Sequence, residues 1–275
     1  MKPSRWLDAN LIVTLSTTIV AIWFGVKLYR EADWIFLAKS VKVVWENLPL
    51  MLIGAPGLHK PLFGLGGLIL SLSLAAISIM ISFVIGLVFG TARLSQRFYL
   101  RYPAILYIEV IRGTPLIMVI FWFYFFIPIF TGRDIGIFWS SAVAFSIFSG
   151  AYLAEIVRAG IQAVPFGHRE AAFSTGLTYF QTMRYIILPQ ALKIMIPPMV
   201  GQFISLFKDT SLAFVIGLRE LMSIATNVNN REIYYPFAIY ITVACLYFLC
   251  SFSMSRVARK LEERLTPEGA IDIGI

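Results

Sequence analysis

"EAAFSTGLTYFQTMRYIILPQA" occupies residues 170–191 of a 275-residue chain in which 59% of the residues are hydrophobic. The stretch itself is a poor membrane span, because Arg184 lies within it, Gly176 interrupts it and Pro189 falls near its end. Local patterns instead predict two short helices joined by a turn. Pro165 can begin the first helix, and Gly176 suits the turn because glycine enters left-handed conformations without steric cost.

The second helix of this stretch has a start signal, a stop signal and an apolar face. Thr178 and Gln181 have the spacing of a capping box, and Pro189 is expected to end the helix because proline breaks helix interiors. An amphipathic helix pair of this kind suits docking into a groove on a soluble partner, although the pattern alone equally allows a helix on the membrane surface. The apolar face, with residues at three- and four-residue intervals, consists of Tyr179, Phe180, Met183, Ile186 and Ile187.

Beyond this stretch, the chain has the composition of an integral membrane protein. Only 14% of its residues are charged, against about 25% in ordinary soluble domains. The net charge of +8 would suggest nucleic acid as a partner of a soluble protein. In this chain the cations lie beside apolar stretches, as at the ends of transmembrane helices, so no nucleic acid is expected. The spacing of the two cysteines and of the two histidines indicates neither a disulfide nor a metal site.

Six stretches are apolar enough to cross a bilayer, which takes about 20 helical residues. They are residues 11–28, 61–92 (entered near Gly67), 113–132, 135–154, 194–217 and 233–255. The expected fold is therefore an all-α integral membrane protein with about six transmembrane helices. Residues 11–28 are too long for the core of a signal peptide and are expected to remain as an anchor. Residues 41–55 carry Lys42 and Glu46 and are interpreted as an interfacial amphipathic helix, with a seventh span as the alternative.

The placement of cations predicts the orientation of the helices. With six spans, the clusters at positions 93–101, 158–193 and 256–260 share one side, which is expected to be the cytoplasm together with both termini. Lys27, Arg30, Lys39, Lys42 and Lys60 would then lie outside, against the rule. The chain is accordingly divided into an N-terminal anchor and interfacial segment (1–60), a transmembrane domain (61–260) and a cytoplasmic tail (261–275).

The 170–191 stretch resembles the EAA loop of ABC importer permeases in every spaced position. In that family the loop forms coupling helices that seat in the ATP-binding subunits, so the resemblance implies a type I ABC importer-like fold and two ATPase partners. The chain has no G-x-x-x-x-G-K-[ST] phosphate loop. It is therefore expected to be a transport subunit and not an enzyme, without a cofactor of its own, while ATP and Mg bind the ATPase chains. The matching positions are Glu170, Ala171, Ala172, Gly176, Ile186, Leu188 and Pro189.

Three further stretches resemble the permeases for polar amino acids, the histidine/glutamine/glutamate group. They are "EVIRGTPLIMVIFWFYF" (109–125), "AYLAEIVRAGIQAVPFGHREAA" (151–172) and "QFISLFKDTSLAFVIG" (202–217). The first 60 residues look more like the larger permeases for general and acidic L-amino acids. The resemblance implies import of polar L-amino acids across a bacterial plasma (inner) membrane. It also implies an extracellular or periplasmic amino acid-binding protein, and a second, related permease in preference to a homodimer.

Two ionisable residues, Lys208 and Asp209, lie inside the predicted fifth span. Ionisable groups within a span are costly and usually face the bundle interior or a water-filled path. They are therefore candidates for lining or gating the substrate path, with the hydroxyls of Thr210 and Ser211 at a point where the helix can unwind. The alternative is a mutually neutralising pair that only shapes the bundle.

Other polar features admit purely structural interpretations. Arg112 to Pro115 can simply begin a transmembrane helix, with Thr114 as its cap and Pro115 in the first turn, or can pack against the coupling loop. Glu155 and Arg158, three residues apart on a helix, are expected to pair with each other. For the whole chain, the alternative function is an ion-gradient-driven secondary amino acid transporter. Such carriers often show internal repeats, and no convincing repeat is visible in this sequence.

Overall fold

The structure is a computed structural model, and it describes residues 18–20, 22–23, 34–54 and 64–265. Most of the predicted anchor at 11–28 lies outside the described residues, as does most of the predicted tail at 261–275. The chain forms two compact units, Met1–Glu46 and Asn47–Ile275.

The regular elements of the described residues are helices, numbered in chain order. They are α1 (Trp34–Ile53), α2 (Gly67–Arg93), α3 (Phe98–Arg112), α4 (Leu116–Thr131), α5 (Ile137–Gln162), α6 (Phe166–Ser174), α7 (Tyr179–Thr182), a π-helical turn (Met183–Ile187), α8 (Leu188–Asp209), a 3-10 segment (Thr210–Ile216), α9 (Leu221–Arg231) and α10 (Pro236–Leu265).

Four of these helical stretches are long and apolar enough to cross a membrane: Gly67–Arg93, Ile137–Gln162, Tyr179–Ile216 and Pro236–Lys260. They coincide with four of the predicted spans, and the predicted entry near Gly67 is confirmed. The prediction of an all-α membrane fold is therefore confirmed. Helix α1, which contains most of residues 41–55, is not among the spans, and its place at the interface remains a prediction.

The predicted span at 113–132 differs from the structure in its extent. Helix α4 has only 16 residues, which gives about 24 Å of helix, less than the roughly 30 Å of a hydrocarbon core. A fifth crossing requires α3 and α4 together, and these two helices meet at a bend of 109°. Arg101, expected in a loop, lies in the first turn of α3. Helix α3 was not predicted as part of a span because its charged residues lower its mean hydropathy.

Helices α2 and α5 form the scaffold of the bundle by close approach at small residues. A Cβ on Gly86 would come within 2.5 Å of the Leu153 Cβ, and one on Gly90 within 2.6 Å of the Ala154 carbonyl oxygen. Small residues at such contacts are typical of membrane helices, whose association depends on close van der Waals packing. Any side chain at either glycine would therefore push the two helices apart.

Two buried apolar clusters connect the long helices to the shorter segments between them. One joins the end of α5 to the π-helical turn and the start of α8, and it includes Leu153, Val157, Ile161, Ile187, Ala191 and Met195. The other joins α2, α8, α9 and α10, and it includes Leu68, Phe207, Leu221, Ala225, Val228 and Ile239. The first cluster anchors residues 166–191, which we name the EAA segment, and the second surrounds the start of α9.

Candidate functional site

The EAA segment begins with the helix and turn that the sequence predicts. Pro165 immediately precedes α6, and Gly176 has φ +81°. The N–H of Gly176 donates to the Phe173 carbonyl at 3.0 Å, and the N–H of Leu177 donates to the Ala172 carbonyl at 3.2 Å. This pair of bonds is a Schellman motif, which ends a helix with a left-handed residue. The role of Gly176 in the turn is therefore confirmed.

The second helix starts as predicted but does not end as predicted. Thr178 and Gln181 form a complete capping box. Pro189 does not stop the helix, because it lies in the first turn of α8 and the chain runs helically from Tyr179 to Ile216. A proline is tolerated in the first turn of a helix. The π turn before it contains one extra residue, so the helix continues although Pro189 has no N–H to donate to an earlier carbonyl. The prediction that Pro189 ends the helix was wrong for this reason.

A hydrogen-bond chain connects α6 to this π turn. His168 Nδ1 lies 2.7 Å from Gln190 Oε1, and Gln190 Nε2 donates to the Ile186 carbonyl at 2.9 Å. The two ends of the EAA segment are therefore tied to each other as well as to the bundle.

The predicted apolar face divides between the core and the surface. Ile187 is buried, while Met183 and Ile186 are half-buried against the same cluster. Tyr179 and Phe180 point outward and are 65% and 69% exposed. The inward residues attach the segment to α5 and α8, and the outward residues form an exposed surface. The exposed aromatic residues, which we name the aromatic surface, are Phe166, Phe173, Tyr179, Phe180 and Tyr185.

The motif residues of the EAA segment follow the same division. Glu170 is exposed and lies four residues after Phe166 and three before Phe173, so these three share one face of α6. Ala172 is buried. Of the remaining motif residues, Ile186 is half-buried, and those exposed are Ala171, Gly176, Leu188 and Pro189.

Ion pairs join three helix ends beside the EAA segment. Glu155 on α5 pairs with Arg158, as predicted, but its second oxygen also lies 3.0 Å from Arg93 Nη1 and 3.9 Å from Arg112 Nη1. The Arg93 pair has the distance of an ion pair without the alignment of a hydrogen bond. Arg93 also pairs with Glu109 at 2.8 Å. The network ties α2 and α3 to α5, and Arg112 therefore contacts α5.

The link between α3 and α4 corrects a smaller expectation. The Thr114 hydroxyl donates to the Val110 carbonyl at 2.7 Å, so it bonds back to α3 and does not cap α4. Pro115 stands at the N-cap position of α4, one residue before its first turn.

The candidate substrate-path residues lie where α8 ends. The backbone tightens there into the 3-10 segment, where an unwinding was expected. Lys208 is exposed, Asp209 is half-buried and Thr210 is buried. The charge of Lys208 acts on Asp209, although no ion pair of the described residues joins the two. Both interpretations of this pair, a substrate contact and a mutually neutralising pair, therefore remain predictions. The hydroxyls of Thr210 and Ser211 donate to the carbonyls of Phe207 and Lys208, at 2.6 and 2.8 Å.

One polar residue of this region, Glu220, was not predicted from the sequence. Glu220 is completely buried, follows the 3-10 segment in the chain and caps the N-terminus of α9. Its Oε1 accepts the Ser223 N–H at 2.8 Å, and its Oε2 accepts the Met222 N–H at 2.9 Å. Hydroxyls of Ser71 and Tyr247 also donate to Oε2, at 3.3 and 3.1 Å. Burial raises the pKa of Glu220 to about 7, although these hydrogen bonds oppose the rise.

Little in the sequence indicates the structural role of Glu220. Glutamate is not a favoured N-cap residue, and α9 itself was not predicted. Its hydroxyl partners lie 149 and 27 residues away, so no local pattern connects them.

The apolar helices together with the EAA segment define a class of protein, the membrane-embedded subunits of transporters. Residues 82–267 match the family model described as "Binding-protein-dependent transport system inner membrane component". Because the match covers more than half of the chain, the chain belongs to that family and is an ABC transporter permease.

Individual relatives agree with this assignment. The chain is 41% identical over 216 residues to a probable glutamine ABC transporter permease protein of Bacillus subtilis, covering 78% of this chain and 99% of that one. It is 35% identical over 228 residues to the glutamine transport system permease protein of Escherichia coli K12, covering 81% and 95%. None of these comparisons supports a secondary transporter.

A solved structure agrees as well. The crystal structure described as "an amino acid ABC transporter with histidines" aligns with a TM-score of 0.69 at 32% identity, covering 85% of this chain and 99% of that one. An inward-facing MetNI methionine ABC transporter aligns with a TM-score of 0.62 at 21% identity, which shows a shared fold.

Proposed function

We propose that this chain is the membrane-spanning permease of an ATP-driven importer for polar L-amino acids, with general or acidic and amide amino acids favoured. The observation that carries the proposal is the EAA segment, whose outward aromatic residues and Glu170 form a docking face while its inward residues are anchored in the bundle. The relatives named for glutamine, glutamate/aspartate and cystine support the class of substrate.

In this proposal ATP and Mg bind two separate ATPase subunits, and the EAA segment is the contact through which those subunits act. Glu170 and the aromatic surface would touch the ATPase, and Gly176 would fix the angle between the two short helices. Ala172 and Ile186 would transmit the motion inward. The full set of coupling residues is Glu170, Ala171, Ala172, Gly176, Ile186, Leu188 and Pro189.

The continuity of the helix through Pro189 gives this coupling a mechanical route. The stretch Tyr179–Ile216 has 38 residues, or about 57 Å of helix. It begins in the EAA segment and ends at the candidate substrate path, so a displacement of the EAA segment would move the residues of that path. A helix ending at Pro189 would have needed a separate connection.

The substrate path is proposed to pass Lys208, Asp209, Thr210 and Ser211. An amino acid carries an ammonium and a carboxylate, and both lose water on entering the membrane, which is costly without compensating polar groups. Exposed Lys208 and half-buried Asp209 offer both charges within one turn of helix. Thr210 and Ser211 are hydrogen-bonded to the backbone, so their part would be to hold the turn in shape.

The further partners follow from the same proposal. An extracellular or periplasmic binding protein would deliver the amino acid, and a second, related permease would complete the pathway in preference to a second copy of this chain. The lipid bilayer would cover the apolar exterior. The cation clusters support cytoplasmic termini and a cytoplasmic EAA segment.

Mass measurement of the intact complex, purified from its own membrane through a tag on this chain, tests the assembly. The expected complex contains one copy of this chain, one related permease and two ATPase subunits. A transport-active particle made of this chain alone would overturn the proposal.

A further inference from the structure

Glu220 is a buried carboxylate that the proposed coupling and substrate contacts do not use. It lies beside Gly67, at the end of α2 opposite to Arg93 and its ion pairs. A buried charge is costly unless it is hydrogen-bonded, and four donors from three helices, α2, α9 and α10, satisfy this one. Its four described donors are two backbone N–H groups and two hydroxyls, and all of them are neutral.

The backbone around Glu220 lies close to the start of α2. The N–H of Gly67 donates to the Arg219 carbonyl at 3.0 Å. Gly67 has φ +58°, and a Cβ there would come within 2.2 Å of the Met51 carbonyl oxygen. This approach requires glycine, and it places Ser71, one turn further along α2, within reach of the carboxylate.

The four hydrogen bonds of Glu220 fall into two kinds. The N–H groups of Met222 and Ser223 belong to the same helix terminus as Glu220, so they hold the carboxylate whatever the neighbouring helices do. The hydroxyls of Ser71 and Tyr247 come from α2 and α10, and both reach Oε2. Relative movement of the helices can therefore break the Oε2 contacts while Glu220 remains in place as the cap of α9.

Tyr247 connects this carboxylate to the candidate substrate path. Its ring packs on Phe207, two residues before the end of α8, with a centroid distance of 5.4 Å. Thr210 donates to the Phe207 carbonyl at 2.6 Å. The contacts thus run from Glu220 through Tyr247 to the junction of α8 and the 3-10 segment, next to Asp209.

We infer that Glu220 is a positioning residue of the translocation path: it holds the Tyr247 hydroxyl, and Tyr247 holds the junction of α8 and the 3-10 segment. The inference rests on the proposed path through Lys208 to Ser211. Release of Tyr247 and Ser71 from Oε2 then accompanies any rearrangement that opens this junction. When Glu220 is ionised, its hydrogen bonds are stronger than those to a neutral acceptor, which suits a contact that must hold one arrangement until the helices move.

The test compares Glu220→Gln, Tyr247→Phe and the double variant in the complete reconstituted transporter. Glu220→Gln keeps the size of the side chain and removes its charge, and Tyr247→Phe keeps the ring on Phe207 and removes only the hydroxyl. Two matched controls change the same residue types: Glu232→Gln just after the far end of α9, and Tyr240→Phe on α10.

The readout is the reaction rate of a cysteine placed by Ser211→Cys with a maleimide, in a background carrying Cys245→Ser and Cys250→Ser. Each single variant is expected to raise this rate about tenfold, the size of effect that loss of one hydrogen bond to a charged group can give. The double variant is expected to add nothing to either single variant, because Glu220→Gln weakens and Tyr247→Phe removes the same contact. The substrate concentration for half-maximal transport is expected to change with the rate, and both controls are expected to match the wild type.

Wild-type modification rates in both single variants, or additive effects in the double variant, would overturn the inference. If Glu220→Gln prevents assembly, the Tyr247→Phe variant alone tests the inference, since it leaves the cap of α9 intact. The modification rate does not require transport. A complex that transports no amino acid would therefore count against the proposed function. The modification rates would still test the role of Glu220.

Discussion

The backbone N–H of Leu188 donates to the carbonyl of Met183, five residues earlier in the chain. This π-type hydrogen bond keeps the EAA segment continuous with α8 although Pro189 follows directly. π turns inside α-helices often occur at functional sites, and this one lies between the proposed ATPase contact and the proposed substrate path. In the proposed mechanism, the register of this turn would set how motion at the ATPase contact reaches the substrate path.

Replacing the proline tests that register. Pro189→Ala restores a backbone donor and allows the π turn to relax to an α-helical turn, which would rotate the EAA segment by about 100° relative to α8. Assembly is expected to persist, while stimulation of ATPase activity by the loaded binding protein is expected to fall. Pro198→Ala, in the exposed middle of α8, serves as the control. Full stimulation in Pro189→Ala would show that the π turn is dispensable.

Gly176 is expected to matter for its backbone conformation alone. A Cβ there meets nothing within 4 Å, yet φ is +81°, so Gly176→Val is strained by about 1–3 kcal/mol. Transport and retention of the ATPase are expected to decrease, whereas Gly176→Asn should keep most activity because asparagine tolerates left-handed conformations. Gly201→Val, at an ordinary φ in α8, is the control. Equal activity of the Val and Asn variants at position 176 would contradict this explanation.

The aromatic surface should contribute to ATPase binding and little to folding. Phe173→Ala and Phe180→Ala remove exposed rings and are each expected to weaken ATPase retention on the purified permease by about 1–3 kcal/mol, as is typical for interface aromatics. Glu170→Gln should weaken retention by a smaller amount. Phe237→Ala, also highly exposed but on α10, is expected to have no effect on retention. Loss of permease yield in the first two variants would point to a folding role.

Asp209 distinguishes a substrate contact from a packing contact. If it lines the path, Asp209→Asn should assemble in normal amount, but its transport should fall or its preference among competing amino acids should change. If it is structural, the yield of folded complex should fall and the double variant Lys208→Met/Asp209→Asn should restore it. Expression and competition are therefore measured on the same preparations. Rescue of both assembly and transport by the double variant would remove Asp209 from the substrate path.

Glu220 predicts how stability depends on pH. Its pKa in the folded protein is about 7, above the usual 4.5, so between these values the folded state binds more protons than the unfolded state. Stability is therefore expected to fall as pH rises from about 4.5 to about 7, and to level off above that. Thermal unfolding of the complex at pH 5 and pH 8 measures this. Glu220→Gln should lose that part of the dependence, and an unchanged pH profile would contradict the prediction.

Local features of the EAA segment could be predicted from the sequence because their causes lie within a few residues. The capping box of Thr178 and Gln181 and the left-handed Gly176 depend on neighbours in the chain. The rule that a proline ends a helix is also local, and it failed at Pro189 because the π turn changes the hydrogen-bond register just before it.

Contacts between distant parts of the chain could not be predicted in this way. Glu155 was paired correctly with Arg158 three residues away, but Arg93 is 62 residues from it and joins only through the packing of α2 on α5. Glu220 resembled an ordinary loop residue, because its burial depends on the start of α2 and on Tyr247. A single sequence carries no pattern that brings these positions together.

ATP-driven uptake by the reconstituted complex tests the central claim most directly. Sealed vesicles would contain this chain with its second permease and ATPase subunits, with ATP at the EAA-segment side, loaded binding protein at the other side and no ion gradient. The account predicts uptake of labelled glutamine or glutamate that requires ATP and the ATPase subunits and that is competed by other polar L-amino acids. Uptake by this chain alone, driven by an ion gradient and indifferent to ATP, would contradict it.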